Sequence, residues 1–114
     1  TWSVTKRSAG EESVALSFYL ALMTRTCLNL IGARGPVIVE GPFANNDEYL
    51  RMLSALSPDG LLTSVSHTGT SIGAAMLCLP QHKQAATAQT YACKDEPALQ
   101  AYGAAWRLAV ESGL

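Results

Sequence analysis

Residues 37–46, which read Val-Ile-Val-Glu-Gly-Pro-Phe-Ala-Asn-Asn, hold the types and spacing that could bind a ligand. Three β-branched apolar residues without alternation favour a short strand buried on both faces, and Gly41-Pro42 ends it. Gly41 has no Cβ, so a ligand can lie against its backbone. Asn45 carries an amide that both donates and accepts hydrogen bonds, which suits a base or a ribose. The N–H groups that begin the following helix favour an anion.

The same pattern also describes an ordinary turn between a strand and a helix, in which Asn45, Asn46 or Asp47 only caps the helix. The chain contains neither G-x-G-x-x-G nor G-x-x-x-x-G-K-[ST], so a Rossmann fingerprint and a P-loop are both excluded. In open α/β sheets, ligands bind at the carboxyl ends of strands, where Gly41 and Asn45 stand. Ligand binding and a purely structural turn therefore both remain open from spacing alone.

Charge and composition exclude several classes of protein. Eight Lys and Arg against nine Asp and Glu give a formal net charge of -1, whereas a nucleic-acid binder normally shows a basic excess. The three cysteines form no C-x-x-C pair, which excludes a zinc ribbon and predicts buried free thiols in a reducing cytoplasm. His67 and His82 have no carboxylate at ligand spacing, so we expect no metal site. The first ten residues are polar and show no signal-peptide pattern, which also indicates a cytoplasmic location.

The elements that must position these residues alternate between helix and strand. The expected order starts with a helix over residues 13–31. Two strands over residues 37–39 and 61–65 follow, separated by a helix over residues 47–56. A helix over residues 71–79, a surface connection over residues 81–93 and a last helix from residue 95 complete the chain. Apolar residues surround more than half of the first helix, which predicts a helix covered on two sides rather than a membrane span. Two apolar strands separated by a helix predict an α/β fold with a short parallel strand pair.

Two helices carry further expectations about packing. Gly73, Ala74 and Ala75 make a small face that should lie against a neighbour with almost no exposed surface. In the last helix the predicted buried positions are Leu99, Tyr102, Trp106 and either Ala109 or Val110.

The strand followed by Gly41-x-x-x-Asn45-Asn46 resembles the adenosine motif of the FGGY carbohydrate kinases, the group of glycerol kinase and xylulokinase. Ala44-Asn45-Asn46 is similar to the glycerol-kinase version, and the Glu-Gly-Pro-Phe form resembles the fuculokinase-like branch. Downstream, residues 68–77 are similar to the Gly-Ala-Ala helix of the family, and residues 19–22 resemble the helix that precedes its adenosine strand. The two glycine motifs stand about 30 residues apart, in the order that the family has them.

The resemblance implies part of a ribonuclease-H-like, actin-type ATPase domain, with ATP and Mg²⁺ as cofactors and a sugar or polyol as phosphoryl acceptor. It implies that Gly41 and Asn45 line the nucleotide pocket. Glu40 stands where most members have another glycine. Because a carboxylate repels a polyphosphate, we expect Glu40 to point away from the phosphates.

The resemblance also implies that residues 1–114 are the C-terminal portion of a longer enzyme. The Asp-x-Gly-Thr phosphate motif, the sugar site and the catalytic Asp of the family have no counterpart in this sequence. We therefore expect no catalytic or metal-binding residue here, no activity from this chain alone, and self-association or association with the rest of the parent chain. We expect no nucleic-acid or membrane partner. The rival hypothesis is a small helical interaction module whose glycine turns are structural and which binds no nucleotide.

Overall fold

The computed structural model describes residues 8–64, 69–78 and 88–113, and the side chains of residues 69–73 fall outside that description. The elements in chain order are α1 (Ala9–Leu30), β1 (Val37–Val39), a 3-10 helix (Gly41–Asn45), α2 (Asp47–Ala55), β2 (Leu61–Ser64), α3 (Gly69–Cys78), β3 (Ala88–Tyr91) and α4 (Glu96–Glu111). The predicted mixed α/β class is confirmed.

The three strands form one sheet in the order β1-β2-β3. β1 and β2 run parallel with Val37 opposite Leu61, which confirms the predicted pair. β3 runs antiparallel to β2 with Tyr91 opposite Leu61. The prediction of a surface connection over residues 81–93 is therefore wrong for residues 88–91, which form β3. The Ala/Gln/Thr composition has weak strand character, and pairing along β2 decides the conformation.

Local signals fix both ends of α1. The Ser8 side chain caps the helix by accepting from the Glu11 N–H at 3.3 Å, so α1 begins four residues before the predicted start. At the other end Gly32 adopts a φ of +69°, and the N–H of Ala33 donates to the carbonyl of Leu28 at 2.9 Å. This is the left-handed glycine cap that the sequence predicts.

The described part of the chain covers α1 on one side only. Ala21 and Leu22 are buried against the core, whereas Leu16 and Leu30 are 59% and 81% exposed. The expectation of a helix covered on two sides is wrong for the described part of the chain, because α2 and α4 pack on the same side. By length and composition α1 is also long and apolar enough to cross a membrane, a test that the core helices of soluble proteins pass as well.

α2 lies at the centre of the core, in contact with α1, α4 and β2. Met52 and Leu53 of α2 and Leu61 of β2 are the largest fully buried side chains. α4 approaches α2 closely at Gly103, where an added Cβ would stand 2.9 Å from Leu56 Cδ2. The absence of a side chain at that position therefore sets how closely the two helices pack.

The predicted buried face of α4 is confirmed in part. Leu99 is buried, and Trp106 packs half-buried against the core. Tyr102 remains 43% exposed although its ring meets Phe18 edge-on, and Val110 is 50% exposed. Gly103, which apolar periodicity does not single out, occupies the buried position beside Leu99.

Three expectations of burial are wrong in the described residues. Ala74 and Ala75 of α3 are exposed, so no neighbour there requires small side chains, and the surroundings of Gly73 lie outside the description. Ile38 is 59% exposed because β1 is covered on one face only. All three cysteines are free as predicted, but Cys27 and Cys78 are exposed and Cys93 is half-buried. His67 and His82 lie outside the described residues.

Candidate functional site

The turn that follows β1 is open around its glycine. Gly41 begins the 3-10 helix with a φ of +77°, a conformation that side chains with a Cβ rarely adopt. A Cβ built on Gly41 would meet no atom of the described residues within 4 Å, so no described residue fills the space beside its backbone. Glu40, which precedes it in an extended conformation, is exposed. The carboxyl end of β1 can therefore receive a ligand against the Gly41 backbone.

The two neighbouring asparagines have different surroundings. The Asn46 side chain caps α2 by accepting from the Tyr49 N–H at 3.1 Å, and its Nδ2 donates to Ser17 Oγ of α1 at 3.2 Å. Asn45 ends the 3-10 helix with an exposed side chain, which has no hydrogen-bond partner among the described residues. Of the three residues that the sequence offered as caps, Asn46 is the one whose side chain caps α2. The amide of Asn45 is free for a ligand.

A buried tyrosine of α2, Tyr49, links the turn to α1. Tyr49 is 8% exposed, and its hydroxyl shares a 2.9 Å hydrogen bond with Thr24 Oγ1 of α1. The ring of Phe43 rests on that of Tyr49, with centroids 4.9 Å apart. The 3-10 helix is therefore held on the same face of α2 that contacts α1, and Gly41 and Asn45 remain accessible at its two ends.

The charges around the turn are acidic. Glu40 precedes it, and the first turn of α2 carries Asp47 and Glu48, with Glu40 and Asp47 exposed. Carboxylates at these positions oppose an anion at the start of α2, although helix N–H groups by themselves would favour one. The site is therefore better suited to the neutral base and ribose of a nucleotide than to its phosphates.

Sequence reasoning missed one polar residue beside this turn. The hydroxyl of Tyr91 in β3 donates to Asp47 Oδ1 at 2.7 Å. Tyr91 lies in a weakly patterned segment 44 residues from Asp47, so no short-range signal pairs the two. Only the antiparallel pairing of β3 with β2 brings them together.

Comparison with known proteins shows the family to which this chain is related. The family model described as carbohydrate kinase FGGY, C-terminal domain, matches residues 1–90. The chain belongs to the FGGY carbohydrate kinases. Both Gly41 and Asn45 lie within the matched residues, and Tyr91 is the first residue beyond them.

A solved structure agrees with this membership of the FGGY family. The chain is 32% identical to a carbohydrate kinase from Novosphingobium aromaticivorans and superposes on it with a TM-score of 0.64 over 78% of its own length. It covers 20% of that kinase. Comparison with curated proteins gave no significant match. Membership of a carbohydrate kinase family is thus supported over the hypothesis of a small helical interaction module.

Proposed function

We propose that this chain supplies the adenosine-binding surface of an ATP-dependent carbohydrate kinase, which transfers the γ-phosphoryl group of ATP to a hydroxyl of a sugar or polyol. The observation that carries the proposal is the difference between the two asparagines. Asn46 is used to cap α2 and to bind Ser17, whereas Asn45 is exposed and unpaired in the described structure at the carboxyl end of β1. An exposed amide can donate hydrogen bonds to acceptor atoms of a nucleoside and accept them from its donor groups.

Gly41 complements Asn45 in this proposal. Its backbone offers a surface without a side chain, which lets a flat base or a ribose approach within van der Waals distance. The acidic residues Glu40, Asp47 and Glu48 direct the triphosphate away from this turn. The groups that hold the phosphates and the catalytic base would then come from the rest of the kinase, because phosphoryl transfer depends on charge stabilisation and positioning around the phosphates.

The described residues do not fit a resident metal ion. They contain no group of three or more His, Cys, Asp or Glu side chains that could hold one. Mg²⁺, which kinases of this type use with ATP, is therefore not assigned to any residue of this chain. Its place in the proposed enzyme is with the phosphates, away from Asn45.

The uncovered apolar surface fits a chain that packs against more protein. β1 is an edge strand in the described sheet, Ile38 beside it is exposed, and Leu16 and Leu30 lie exposed along α1. Proteins normally cover such edges and patches. We place the remainder of the kinase over them, where it would complete a ribonuclease-H-like domain. When the remainder is missing, we expect this chain to self-associate.

The free cysteines agree with a location of the enzyme in a reducing cytoplasm.

The test compares two glycine variants in the complete kinase polypeptide, meaning this chain together with the rest of the proposed enzyme. Gly41 and Gly60 both have positive φ, of +77° and +94°, and a Cβ at either meets nothing within 4 Å. Replacement by alanine should therefore strain both turns by a similar amount, about 1–2 kcal/mol. Only Gly41 lies at the carboxyl end of β1, whereas Gly60 precedes β2.

Isothermal titration of ATP should show a dissociation constant raised about tenfold or more by Gly41→Ala, equivalent to about 1.4 kcal/mol, and unchanged by Gly60→Ala. Equal dissociation constants for the two variants would contradict the proposed site. Absence of ATP binding by the unmodified kinase would contradict the proposed function itself.

A further inference from the structure

A polar cleft lies beside the proposed nucleotide turn, between the first two turns of α2 and the chain that leaves β3. Its volume is about 240 Å³, and it is lined by Asp47, Arg51, Tyr91, Lys94 and Asp95. Arg51 of α2 forms an ion pair with Asp95 across the cleft, and Cys93 Sγ donates to the Arg51 carbonyl at 3.5 Å. These contacts fix the end of β3 onto α2.

Tyr91 makes the contact nearest to the nucleotide turn. Its hydroxyl donates to Asp47 Oδ1 at 2.7 Å and lies 3.5 Å from the Asp47 carbonyl oxygen. Burial raises the pKa of Tyr91 above its usual range, and the hydrogen bond to Asp47 raises it further. The hydroxyl is therefore protonated at neutral pH and available as a donor.

The two residues that follow Asn45 are hydrogen-bonded to different parts of the fold. Asn46 is bound to Ser17 of α1, and Asp47 is bound to Tyr91 of β3. The Asn45 side chain makes no hydrogen bond to the described residues, so its orientation depends on how Asn46 and Asp47 are held. Removing the Tyr91 contact loosens the start of α2 beside Asn45, while the Asn46 cap and the bond from the Asn46 N–H to the Phe43 carbonyl still hold the rest of the turn.

We infer that Tyr91 is a positioning residue for the adenosine contact of Asn45, acting through its hydrogen bond to the Asp47 carboxylate. This inference rests on the proposed function. Tyr91 lies beyond the residues that the family model matches, so membership of the family does not assign it this role. Correct placement of a binding group lowers the cost of ordering it when the ligand arrives, and that gain appears as affinity.

Tyr91→Phe in the complete kinase polypeptide tests the inference, because it removes the hydroxyl and keeps the ring. We expect the dissociation constant and the KM for ATP to rise about three- to tenfold, the range of one ordinary solvent-exposed hydrogen bond. The KM for the sugar should stay unchanged. Tyr102→Phe is the matched control, since the Tyr102 hydroxyl has no partner among the described residues.

Variants at Asp47 separate positioning from simple stabilisation. Asp47→Asn keeps an oxygen that can accept from Tyr91, whereas Asp47→Ala removes it, and both variants lose the same charge. Asp47→Ala should therefore weaken ATP binding relative to Asp47→Asn by about as much as Tyr91→Phe does relative to the unmodified kinase. Adding Tyr91→Phe to Asp47→Ala should then lower the affinity little further, because the same hydrogen bond is already gone.

Three results would overturn the inference. One is a Tyr91→Phe enzyme with a lowered melting temperature but an unchanged dissociation constant for ATP, which would assign Tyr91 a structural role only. Another is an equal loss of ATP affinity in Tyr102→Phe. The third is failure of the unmodified kinase to bind ATP, which would remove the proposed function and with it the inference. The first two leave the proposed function intact.

Discussion

Asn46→Ala should destabilise the fold, whereas Asn45→Ala should not, although the two residues are identical and adjacent. Asn46 makes two hydrogen bonds through its side chain, one to the Tyr49 N–H and one to Ser17 Oγ. Asn45 is exposed and makes none within the described residues. The pair therefore separates a structural asparagine from one that is available to a ligand.

The magnitude follows from the contacts that are lost. Removing an asparagine helix cap costs about 1 kcal/mol. The hydrogen bond from Asn46 Nδ2 to Ser17 contributes about 1 kcal/mol more, because Ser17 is buried and would lose its partner. Asn46→Ala should thus lower the free energy of unfolding by about 2 kcal/mol, and Asn45→Ala should stay within about 0.5 kcal/mol of the unmodified protein.

Urea unfolding followed by circular dichroism, with all variants in the same complete kinase polypeptide, measures the difference. Ser17→Ala is an intermediate variant, since it removes the bond between α1 and Asn46 but keeps the cap, and it should lose about half as much stability as Asn46→Ala. The reasoning is refuted if Asn45→Ala destabilises as much as Asn46→Ala. It is also refuted if Asn46→Ala leaves the unfolding midpoint unchanged.

Two other variants can be measured in the same complete kinase polypeptide, and a third test uses the isolated 114-residue chain. Gly103→Leu should lower the free energy of unfolding by about 1–3 kcal/mol in urea titrations, because even a Cβ there stands 2.9 Å from Leu56 Cδ2, and an unchanged midpoint would mean that α4 does not pack on α2. Ala74→Leu should change the free energy of unfolding in the same titrations by no more than about 0.5 kcal/mol, since Ala74 is exposed; a larger loss would show that α3 is covered. Sedimentation velocity of that isolated chain at micromolar concentration should show self-association or aggregation through the β1 edge and Ile38, and a stable monomer would contradict this.

Sequence reasoning predicted well wherever neighbouring residues decide the structure. The Val37–Val39 strand and the Gly32 helix end each depend on residues within one turn of the chain. The cap of α2 was predicted only as one of three adjacent residues, of which Asn46 is the one that caps the helix. The parallel pairing of β1 with β2 followed from the intervening helix. The two candidate site residues came from the same local pattern, and they lie at the two ends of the 3-10 helix that follows β1, with no neighbour against them in the described structure.

The expectations that failed depend on distant parts of the chain or on what covers a surface. β3 exists because Ala88–Tyr91 pairs with β2, not because its composition favours a strand. Apolar content predicted burial for Ile38 and Ala74, yet a helix or strand is buried only where another element packs on it, and none does so there in the described structure. Tyr91 was missed for the same reason, since its partner Asp47 is 44 residues away.

The most direct test of the proposed site is a crystal structure of the complete kinase polypeptide with a non-hydrolysable ATP analogue. We expect the adenosine to lie against the Gly41 backbone with the Asn45 amide within about 2.7–3.2 Å of a base or ribose atom. The phosphates should point away from Glu40 and Asp47. A nucleotide bound elsewhere, or one whose triphosphate lies on the first turn of α2 while Asn45 faces solvent, would contradict the proposed function of this turn.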